Sequence, residues 1–341
     1  MAARTARRIQ STGGPLEFTT VLERMQPDLR RVEERLLAET VVEYPLVGDV
    51  LRELVAAGGK RLRPLLLLLA AKPFRYDLDR LVPAAAGIEL LHTASLIHDD
   101  SIDHAETRRG KPTLNALLDP EVVILVGDYM FARSAMLAAS TMNPRVLAVF
   151  ASCLGSICDG QLREIFAAHS TDVTLDDYQR RIYGKTAALF ASSAEIGAIL
   201  GEATDDQIAT LREFGSCLGM AYQIIDDILD LREDSTRLGK PAGHDLRQGT
   251  VTLPTMLFLQ QERGTAAERA LVSRIVSEGA ESAEALATAV QAIRTSGVLE
   301  QAWQFAVHYI EDARQLLSRL PDGEARAMLE ALAQHAIERQ F

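Results

Sequence analysis

The stretch Leu90–Asp103, LLHTASLIHDDSID, is apolar almost to its end and closes on three aspartates spaced D-D-x-x-D. The same spacing returns at Asp226–Asp230, after the apolar run Phe214–Ile225. Side chains four residues apart share one face of a helix, so the first and last carboxylates of each motif converge. A solvated acidic helix end would explain one copy alone. It does not explain why both copies end the least polar helices, and paired carboxylates inside a bundle instead favour a hard-cation site.

The ligand chemistry of these motifs indicates magnesium. Oxygen ligands favour Mg²⁺ over softer metals. Mg²⁺ keeps several waters and is held by one or two carboxylates together with substrate phosphates. The two motifs therefore predict several Mg²⁺ ions that bridge to a diphosphate.

Outside the motifs, hydrophobic periodicity predicts helices almost everywhere and no strand of ordinary length. We expect one all-α domain over residues 16–341, a helical bundle with a hydrophobic centre, and a disordered basic arm over residues 1–15. The predicted helices are Leu16–Ala38, Val41–Ala57, Arg61–Ala71, Leu81–Asp103, Pro120–Thr141, Arg145–Ala168, Leu175–Leu200 and Asp205–Arg232, followed by helices from Leu253 to Gln340 with turns near Gly264, Gly279, Gly297 and Pro321–Gly323.

The composition excludes several classes of protein. The 341 residues are 48% hydrophobic and 24% charged, which is typical of a globular chain and too apolar for intrinsic disorder. A net charge of −11 opposes attraction of the whole molecule to nucleic acid. The longest uncharged runs, Val146–Cys158 and Gln248–Gln261, fall short of the roughly 18 residues of a membrane span. We therefore expect no membrane span.

The cysteines and the chain start indicate the compartment. Cys153, Cys158 and Cys217 form no C-x-x-C and no cluster with histidine. They are expected to be buried free thiols in a reducing environment. The Arg-rich, acid-free first residues contain no apolar segment of a secretory signal, and a transit peptide is the alternative to the disordered arm. These features predict a cytoplasmic protein.

Most lysines stand in short basic motifs beside glycine. Only five of the 36 basic residues are lysines, and four of the five follow this pattern. The motifs are Gly58–Pro64 (GGKRLRP), Arg108–Thr113 (RRGKPT), Tyr183–Thr186 (YGKT) and Leu238–Pro241 (LGKP). YGKT lacks the glycine-rich lead and the strand of a P-loop. Each cluster alone fits solvated surface charge, but four clusters beside two acidic motifs predict a diphosphate site.

Five segments stand together in the order and spacing of one known family: Gly58–Pro64, Glu89–Thr113, Gly184–Phe190, Tyr222–Asp230 and Gly239–Pro254. By these segments the chain resembles the trans-isoprenyl diphosphate synthases, or polyprenyl synthetases. One D-D-x-x-D is weakly specific, whereas the five segments together are highly specific. The resemblance implies an all-α bundle of the isoprenoid synthase type with a central active-site cavity, usually assembled as a homodimer.

The resemblance also implies a role for each matching residue. The residues implied to hold Mg²⁺, with three ions when substrate is bound, are Asp99, Asp100, Asp103, Asp226, Asp227 and Asp230. Those implied to contact an allylic diphosphate are Arg108, Lys185, Thr186, Gln223 and Lys240. Those implied to contact isopentenyl diphosphate are Gly59, Lys60, Arg61, His92 and Arg109. The residues expected to act in catalysis are Asp99, Asp103, Arg108, Lys185, Thr186, Asp226 and Lys240.

The implied reaction is Mg²⁺-dependent head-to-tail elongation of an allylic diphosphate. Breaking the allylic C–O bond gives a carbocation and a diphosphate, whose charge metal ions and cationic side chains stabilise. An apolar cavity keeps water from the cation, and the departing diphosphate is the implied base. Two positions depart from the family pattern. Thr250 stands where a lysine often follows Gly249, and His104 stands where an acid is common.

Product length is expected to depend on the helix that carries the first motif. Ala94 and Ser95 precede Asp99 by five and four residues, which places them about 6–7.5 Å below the metal site. Both side chains are small, whereas relatives that make farnesyl diphosphate often carry an aromatic residue at this level. We therefore expect an open tunnel, with Phe150 or Met130 as its floor. The expected product is longer than C15, with a medium or long chain favoured and geranylgeranyl or farnesyl diphosphate as alternatives.

Three further interpretations concern assembly and class. The homodimer implied by the resemblance would use the long helix Pro120–Thr141. A catalytically silent subunit of a two-component synthase would be a binding protein, but such subunits tend to lose the aspartates. A class I terpene cyclase shares an aspartate-rich motif and an all-α fold, yet normally lacks Gly-Gly-Lys-Arg and a second D-D-x-x-D. Purified protein supplied with both substrates and Mg²⁺ distinguishes these readings by its product.

Overall fold

The computed structural model describes residues 16–56, 59–108, 111–232 and 242–338, and helices make up most of them. The predicted all-α fold is confirmed; the expected arm at residues 1–15 lies outside the described residues. The helices are α1 (Phe18–Ala38), α2 (Pro45–Ala56), α3 (Leu62–Ala71), α4 (Leu78–Ile102), α5 (Pro120–Ser140), α6 (Pro144–Ala167), α7 (Leu175–Ile182), α8 (Ala188–Leu200), α9 (Asp205–Arg232), α10 (His244–Arg247), α11 (Leu253–Gln260), α12 (Ala266–Glu278), α13 (Ala283–Thr295), α14 (Val298–Leu317) and α15 (Glu324–Glu338).

The structure corrects two details of the predicted helices. The predicted helix Leu175–Leu200 is interrupted by a π-helical segment, Tyr183–Ala187, between α7 and α8. In addition, two strands of two residues each, β1 (Thr107–Arg108) and β2 (Lys111–Pro112), pair antiparallel after the first aspartate motif. Period-two alternation cannot reveal strands this short, because it needs at least four residues.

The centre of the bundle is formed by α3, α8 and α9. Leucines fill α3 and small apolar residues fill α8, so both helices are buried along almost their whole length. Glycine permits their close approach. A Cβ on Gly197 would lie 2.1 Å from the Leu67 carbonyl oxygen, and one on Gly215 would lie 2.6 Å from the Phe190 carbonyl oxygen. These contacts fix the helices that carry the central site residues.

Helices α5 and α6 lie at the outside of the bundle and keep an apolar outer face. We call this surface the α5–α6 face. Its exposed apolar residues are Ile124, Leu125, Tyr129, Met136, Leu147, Leu162, Ile165 and Phe166. Cys158 is also exposed and Cys217 is only partly buried, so the expectation of three buried thiols holds for Cys153 alone; all three are free thiols. Large exposed apolar patches are typical of interaction sites.

Three helices, α4, α5 and α6, are long and apolar enough to cross a membrane by length and composition. The expectation of no membrane span stays a prediction, because these helices qualify by length and composition only. Counting uncharged runs missed them because each contains a few charged residues. Most of the apolar part of α4 is buried inside the bundle, whereas most of that of α5 and α6 is not.

Candidate active site

The two aspartate motifs end the helices α4 and α9, as predicted, and meet at one end of the bundle. Asp99 and Asp100 lie in the last turn of α4, and Asp103 is its C-cap residue. The second motif lies in the last two turns of α9. The positive charge of Lys185 is felt at both ends. It opposes the pKa rise of Asp99 and Asp103 in the first motif and that of Asp245, which lies beside the second motif.

Asp100 is engaged by protein donors. The Arg108 Nε lies 2.9 Å from both Asp100 carboxylate oxygens, and Nη2 lies 2.8 Å from Oδ1. Such a fork of donors on one carboxylate is among the stronger ion-pair geometries. Asn115 also donates to the Asp100 carbonyl oxygen, at 2.5 Å. Asp100 therefore fixes the chain that follows α4, while Asp99 and Asp103 remain as the carboxylate pair one turn apart.

Burial raises the pKa of this carboxylate pair. The pKa of Asp99 rises to about 6, mainly through burial, with Glu164 and Asp103 raising it further and Lys185 opposing. The pKa of Asp103 is raised for the same first reason. Like-charged carboxylates with raised pKa values gain the most from a nearby cation. The pair therefore suits a divalent metal ion.

The π-helical segment presents Lys185 and Thr186 to the two motifs. It packs against α6 with almost no gap, since a Cβ on Gly160 would lie 2.4 Å from the Lys185 backbone nitrogen. The Lys185 ammonium pairs with Glu164 on α6. Burial would lower the pKa of Lys185, but the charges of Glu164 and Asp99 outweigh it, so the pKa is raised. Lys185 is therefore cationic. Single π-turns are frequent at functional sites.

In the second motif, Asp227 faces protein donors. The Tyr178 hydroxyl donates to Asp227 Oδ2 at 2.7 Å, and Gln223 Nε2 donates to Oδ1 at 2.8 Å. Burial raises the pKa of Asp227 to about 7, although the two hydrogen bonds lower it. Asp230 accepts from the backbone N–H groups of His244 and Asp245, both at 3.2 Å, at the start of α10.

The metal-binding prediction can be compared with the ligand geometry. Within the ranges that the structure describes, no group of three or more His, Cys, Asp or Glu side chains is arranged to hold a metal ion alone. Carboxylate pairs without a complete cage match Mg²⁺, which takes its remaining ligands from water and phosphate. The donor set thus fits Mg²⁺ bound together with a diphosphate.

The three cations of the GGKRLRP motif contact different groups in the structure. Arg61, at the N-cap of α3 with φ of 50°, is buried and pairs with Glu89 at 3.0 Å and Glu33 at 3.6 Å. It also donates to the Val55 carbonyl oxygen. Lys60, beside Gly59, lies 2.9 Å from the Nε2 of His335. Arg61 is thus neutralised within the fold, and its predicted contact with substrate would cost two ion pairs.

Arg63 of the same motif extends into the bundle. It was not among the residues predicted to contact isopentenyl diphosphate. Its guanidinium carbon lies 4.8 Å from the centre of the Phe190 ring. Its Nε is buried, with no hydrogen-bond partner among the described residues. Burial lowers the pKa of Arg63, while the charges of Glu89 and Asp226 raise it. An inward-facing cation near the second motif is a better candidate than Arg61 to receive an anionic substrate.

Glu164 and Asp245 also belong to this cluster and were missed in the sequence. Burial raises the pKa of Asp245 well above the ordinary range, and the charges of Asp230 and Asp227 add to the shift. The signal for Asp245 was its place in the matched segment Gly239–Pro254. Glu164 gave no signal, because one acid on an amphipathic helix resembles a solvated residue.

The remaining predicted site residues divide into three groups. Ala94, Ser95, Phe150 and Met130 are buried in the core. His92 is partly buried on α4, where its carbonyl oxygen accepts from the Ser95 hydroxyl at 2.8 Å. Thr250 donates its backbone N–H to the Asp245 carbonyl oxygen at 2.9 Å. Arg109 and Lys240 lie outside the described residues.

An all-α bundle with two aspartate motifs beside buried cations defines the isoprenoid synthase class, and comparisons with known proteins identify the family. A family model described as polyprenyl synthetase matches residues 44–293. The chain belongs to the polyprenyl synthetase family.

Individual relatives match over nearly the whole chain. Heptaprenyl diphosphate synthase component 2 of Geobacillus stearothermophilus is 40% identical over 318 residues, which cover 93% of this chain and 97% of that protein. A decaprenyl diphosphate synthase structure from Rhodobacter capsulatus superposes with a TM-score of 0.88 at 37% identity, covering 94% of this chain and 99% of that one. A polyprenyl synthase structure from Caulobacter crescentus, complexed with calcium and isoprenyl diphosphate, gives 0.90 at 30% identity, covering 96% and 99%.

Proposed function

We propose that this protein is a trans-prenyltransferase that elongates an allylic diphosphate with isopentenyl diphosphate, head to tail. The observation that carries the proposal is the placement of Asp99 and Asp103 within the electrostatic reach of Lys185 and Arg108, at the polar end of apolar helices. This end of the bundle can bind a diphosphate, and the apolar interior can hold a hydrocarbon. The heptaprenyl and decaprenyl synthases among the relatives support a product of medium or long chain.

Two carboxylate pairs would bind Mg²⁺ in this proposal. They are Asp99 with Asp103 and Asp226 with Asp230, the members of each motif that lie one helical turn apart. Asp100 and Asp227 are held by side-chain hydrogen bonds of 2.7–2.9 Å, which are shorter than the 3.2 Å backbone bonds to Asp230. Three ions with bound diphosphate remain the proposed number. When bound, Mg²⁺ would withdraw electrons from the leaving diphosphate and stabilise its negative charge. The neighbour structure that holds calcium and isoprenyl diphosphate supports a divalent cation in this fold.

The side chains perform the remaining chemistry. Lys185 and Arg108 balance the charge that develops on the allylic diphosphate as its C–O bond breaks. The apolar residues below, among them Ala94 and Phe190, exclude water from the carbocation. Isopentenyl diphosphate then supplies the electron pair of the new C–C bond, and the departing diphosphate takes the proton that is lost. No histidine is needed as a base.

The second substrate would bind at the GGKRLRP motif. We propose Lys60, Arg63, His92 and Arg109 as its contacts, with Gly59 allowing close approach of the backbone. Arg63 replaces Arg61 in this role because Arg61 already pairs with Glu89. Kinetics on Arg63→Gln and Arg61→Gln check this exchange. The first variant should raise the KM for isopentenyl diphosphate by about tenfold or more, whereas the second should mainly lower thermal stability.

The decisive experiment supplies purified protein alone with isopentenyl diphosphate, an allylic diphosphate and Mg²⁺. Dephosphorylated products are then separated by chromatography. The proposal expects a polyprenyl product longer than C15 and no product in EDTA. A cyclic hydrocarbon would indicate a terpene cyclase. No product without a second protein would indicate a subunit of a two-component synthase, a reading that the component 2 relative makes worth testing.

A second copy of the chain is the proposed partner for the α5–α6 face. Leu125 and Met136 on α5 are 66% and 61% exposed, and Phe166 on α6 is 83% exposed. The predicted dimer helix Pro120–Thr141 is therefore an exterior helix, as a dimer contact requires. Covering this face by a second copy would leave no need for a membrane span, in keeping with the proposed cytoplasmic location. A different subunit on the same face is the alternative.

A further inference from the structure

A buried chain of hydrogen bonds links α7, α9 and the π-helical segment. It begins at Tyr178, whose side chain is 1% exposed and whose hydroxyl donates to Asp227 Oδ2 at 2.7 Å. Gln223 Nε2 donates to the other oxygen, Oδ1, at 2.8 Å. Asp227 itself is 3% exposed. Both oxygens of this aspartate are thus directed at protein donors.

The chain continues from Gln223 to Thr186. The Thr186 hydroxyl donates to Gln223 Oε1 at 2.6 Å. An ionised carboxylate can only accept, so ionised Asp227 holds the amide nitrogen of Gln223 toward itself and leaves the amide oxygen for Thr186. An amide nitrogen has two hydrogens, so one N–H of Gln223 remains to donate to a phosphate oxygen. Asp227 therefore sets which group of Gln223 faces the site.

Tyr178 is held in place from its other side. The Arg181 guanidinium carbon lies 5.6 Å from the centre of the Tyr178 ring. Arg181 also donates to the Val251 carbonyl oxygen at 2.6 Å, which ties α7 to the segment before α11. Both Tyr178 and Arg181 are buried. The phenol therefore has one accessible orientation, with its hydroxyl on Asp227.

We infer that Tyr178 is a positioning residue for the allylic diphosphate: it fixes Asp227, Asp227 fixes the amide of Gln223, and Gln223 orients Thr186. The inference rests on the proposed function, in which Thr186 and Gln223 contact that diphosphate. In this inference Asp227 is not a metal ligand, because both of its carboxylate oxygens accept hydrogen bonds from Tyr178 and Gln223. Buried hydrogen-bond networks of this kind hold side chains rigidly.

The test compares two tyrosine-to-phenylalanine variants, because α7 offers a matched control. The Tyr309 hydroxyl accepts a hydrogen bond from Gln179 of α7 at 3.1 Å but has no part in the chain to Asp227. Tyr178→Phe should raise the KM for an allylic diphosphate, with farnesyl diphosphate as the probe, by about tenfold. The KM for isopentenyl diphosphate should stay within about twofold. Tyr309→Phe should change neither KM.

Three outcomes would overturn the inference. They are an unchanged allylic KM in Tyr178→Phe, an equal rise of both KM values, and the same rise in Tyr309→Phe. If Tyr178→Phe does not fold, Asp227→Leu replaces it, because leucine has nearly the same shape but can accept a hydrogen bond from neither Tyr178 nor Gln223. That variant should show the same selective rise, and its absence would also overturn the inference. An inactive wild-type protein would instead reject the proposed function.

Discussion

Asp99 is partly buried in a position that suits a metal ligand but lowers the stability of the metal-free protein. Its pKa is raised to about 6 by burial and by neighbouring carboxylates. A carboxyl group whose pKa is higher in the folded than in the unfolded state binds more protons when folded. Its contribution to stability is therefore present below the unfolded pKa and is lost as the pH rises through the folded value.

This linkage predicts the pH dependence of the metal-free protein. In EDTA, the melting temperature should fall between about pH 4.5 and pH 7, because Asp99 must ionise while buried. Asp99→Asn should show a smaller fall, since the amide does not titrate. Thermal melts of both proteins at several pH values check this. An equal fall of melting temperature with pH in the two proteins would show that the pKa of Asp99 is not raised. Mg²⁺ with inorganic diphosphate should restore the wild-type melting temperature at the upper pH.

The two halves of the first motif should respond differently to mutation. Asp103→Asn should lower kcat by about 10³-fold, because it removes a proposed metal ligand whose role is electrostatic. Asp100→Asn should cost about 10–100-fold, because it loosens the Arg108 clamp but leaves the metal pair intact. Steady-state kinetics at saturating Mg²⁺ compare them. Equal losses would mean that Asp100 also binds metal.

At the scale of elements, the sequence predicted the helices well but not the departures from regular helix. The D-D-x-x-D spacing and the apolar runs before it specified α4 and α9, since both features are local. The π-helical segment Tyr183–Ala187 was not predictable, because it depends on close contact between Gly184 and Gly160, far apart in sequence. The different environments of Arg61 and Arg63 were not predictable either. Arg61 pairs with Glu89 of α4, which is far away in the sequence, and the charge of Glu89 also acts on Arg63.

The contact of the π-helical segment with α6 can be tested with two glycines of α6. Gly160→Ala should lower both stability and kcat, since its Cβ would lie 2.4 Å from the Lys185 nitrogen and would displace that lysine. Gly155→Ala meets no atom of the same chain within 4 Å and should gain about 0.8–1 kcal/mol of helix propensity. Melting curves and kinetics compare the two. A loss in Gly155→Ala would instead reveal another chain on that face.

Helix α4 should also set product length. Ala94 is buried about one turn below the metal pair, so Ala94→Phe should close the space that a growing chain needs and shorten the product. Ser95→Phe should act in the same way, and Phe150→Ala should lengthen the product if Phe150 is the floor. Chromatography of dephosphorylated products measures each change. A wild-type product that stops at C15 would reject the open tunnel, whatever the variants gave.

At the scale of the whole molecule, the α5–α6 face predicts self-association. Leu125→Glu with Met136→Glu should shift the protein toward a monomer of 37.3 kDa, because charge cannot be buried between two apolar faces without a partner. Gln304→Glu, at an exposed position of α14, is the control and should leave the assembly unchanged. Sedimentation at micromolar concentration measures the mass. A wild-type monomer would reject the proposed second copy.

The ion pairs at the mouth of the bundle have a consequence for how the molecule responds to salt. Lys185 is paired with Glu164 and Arg108 with Asp100 before any substrate arrives. An incoming diphosphate therefore meets cations whose charge is already partly balanced by Glu164 and Asp100. Partly buried ion pairs are screened less by salt than exposed ones. The apparent affinity for the allylic substrate should accordingly vary only weakly with ionic strength.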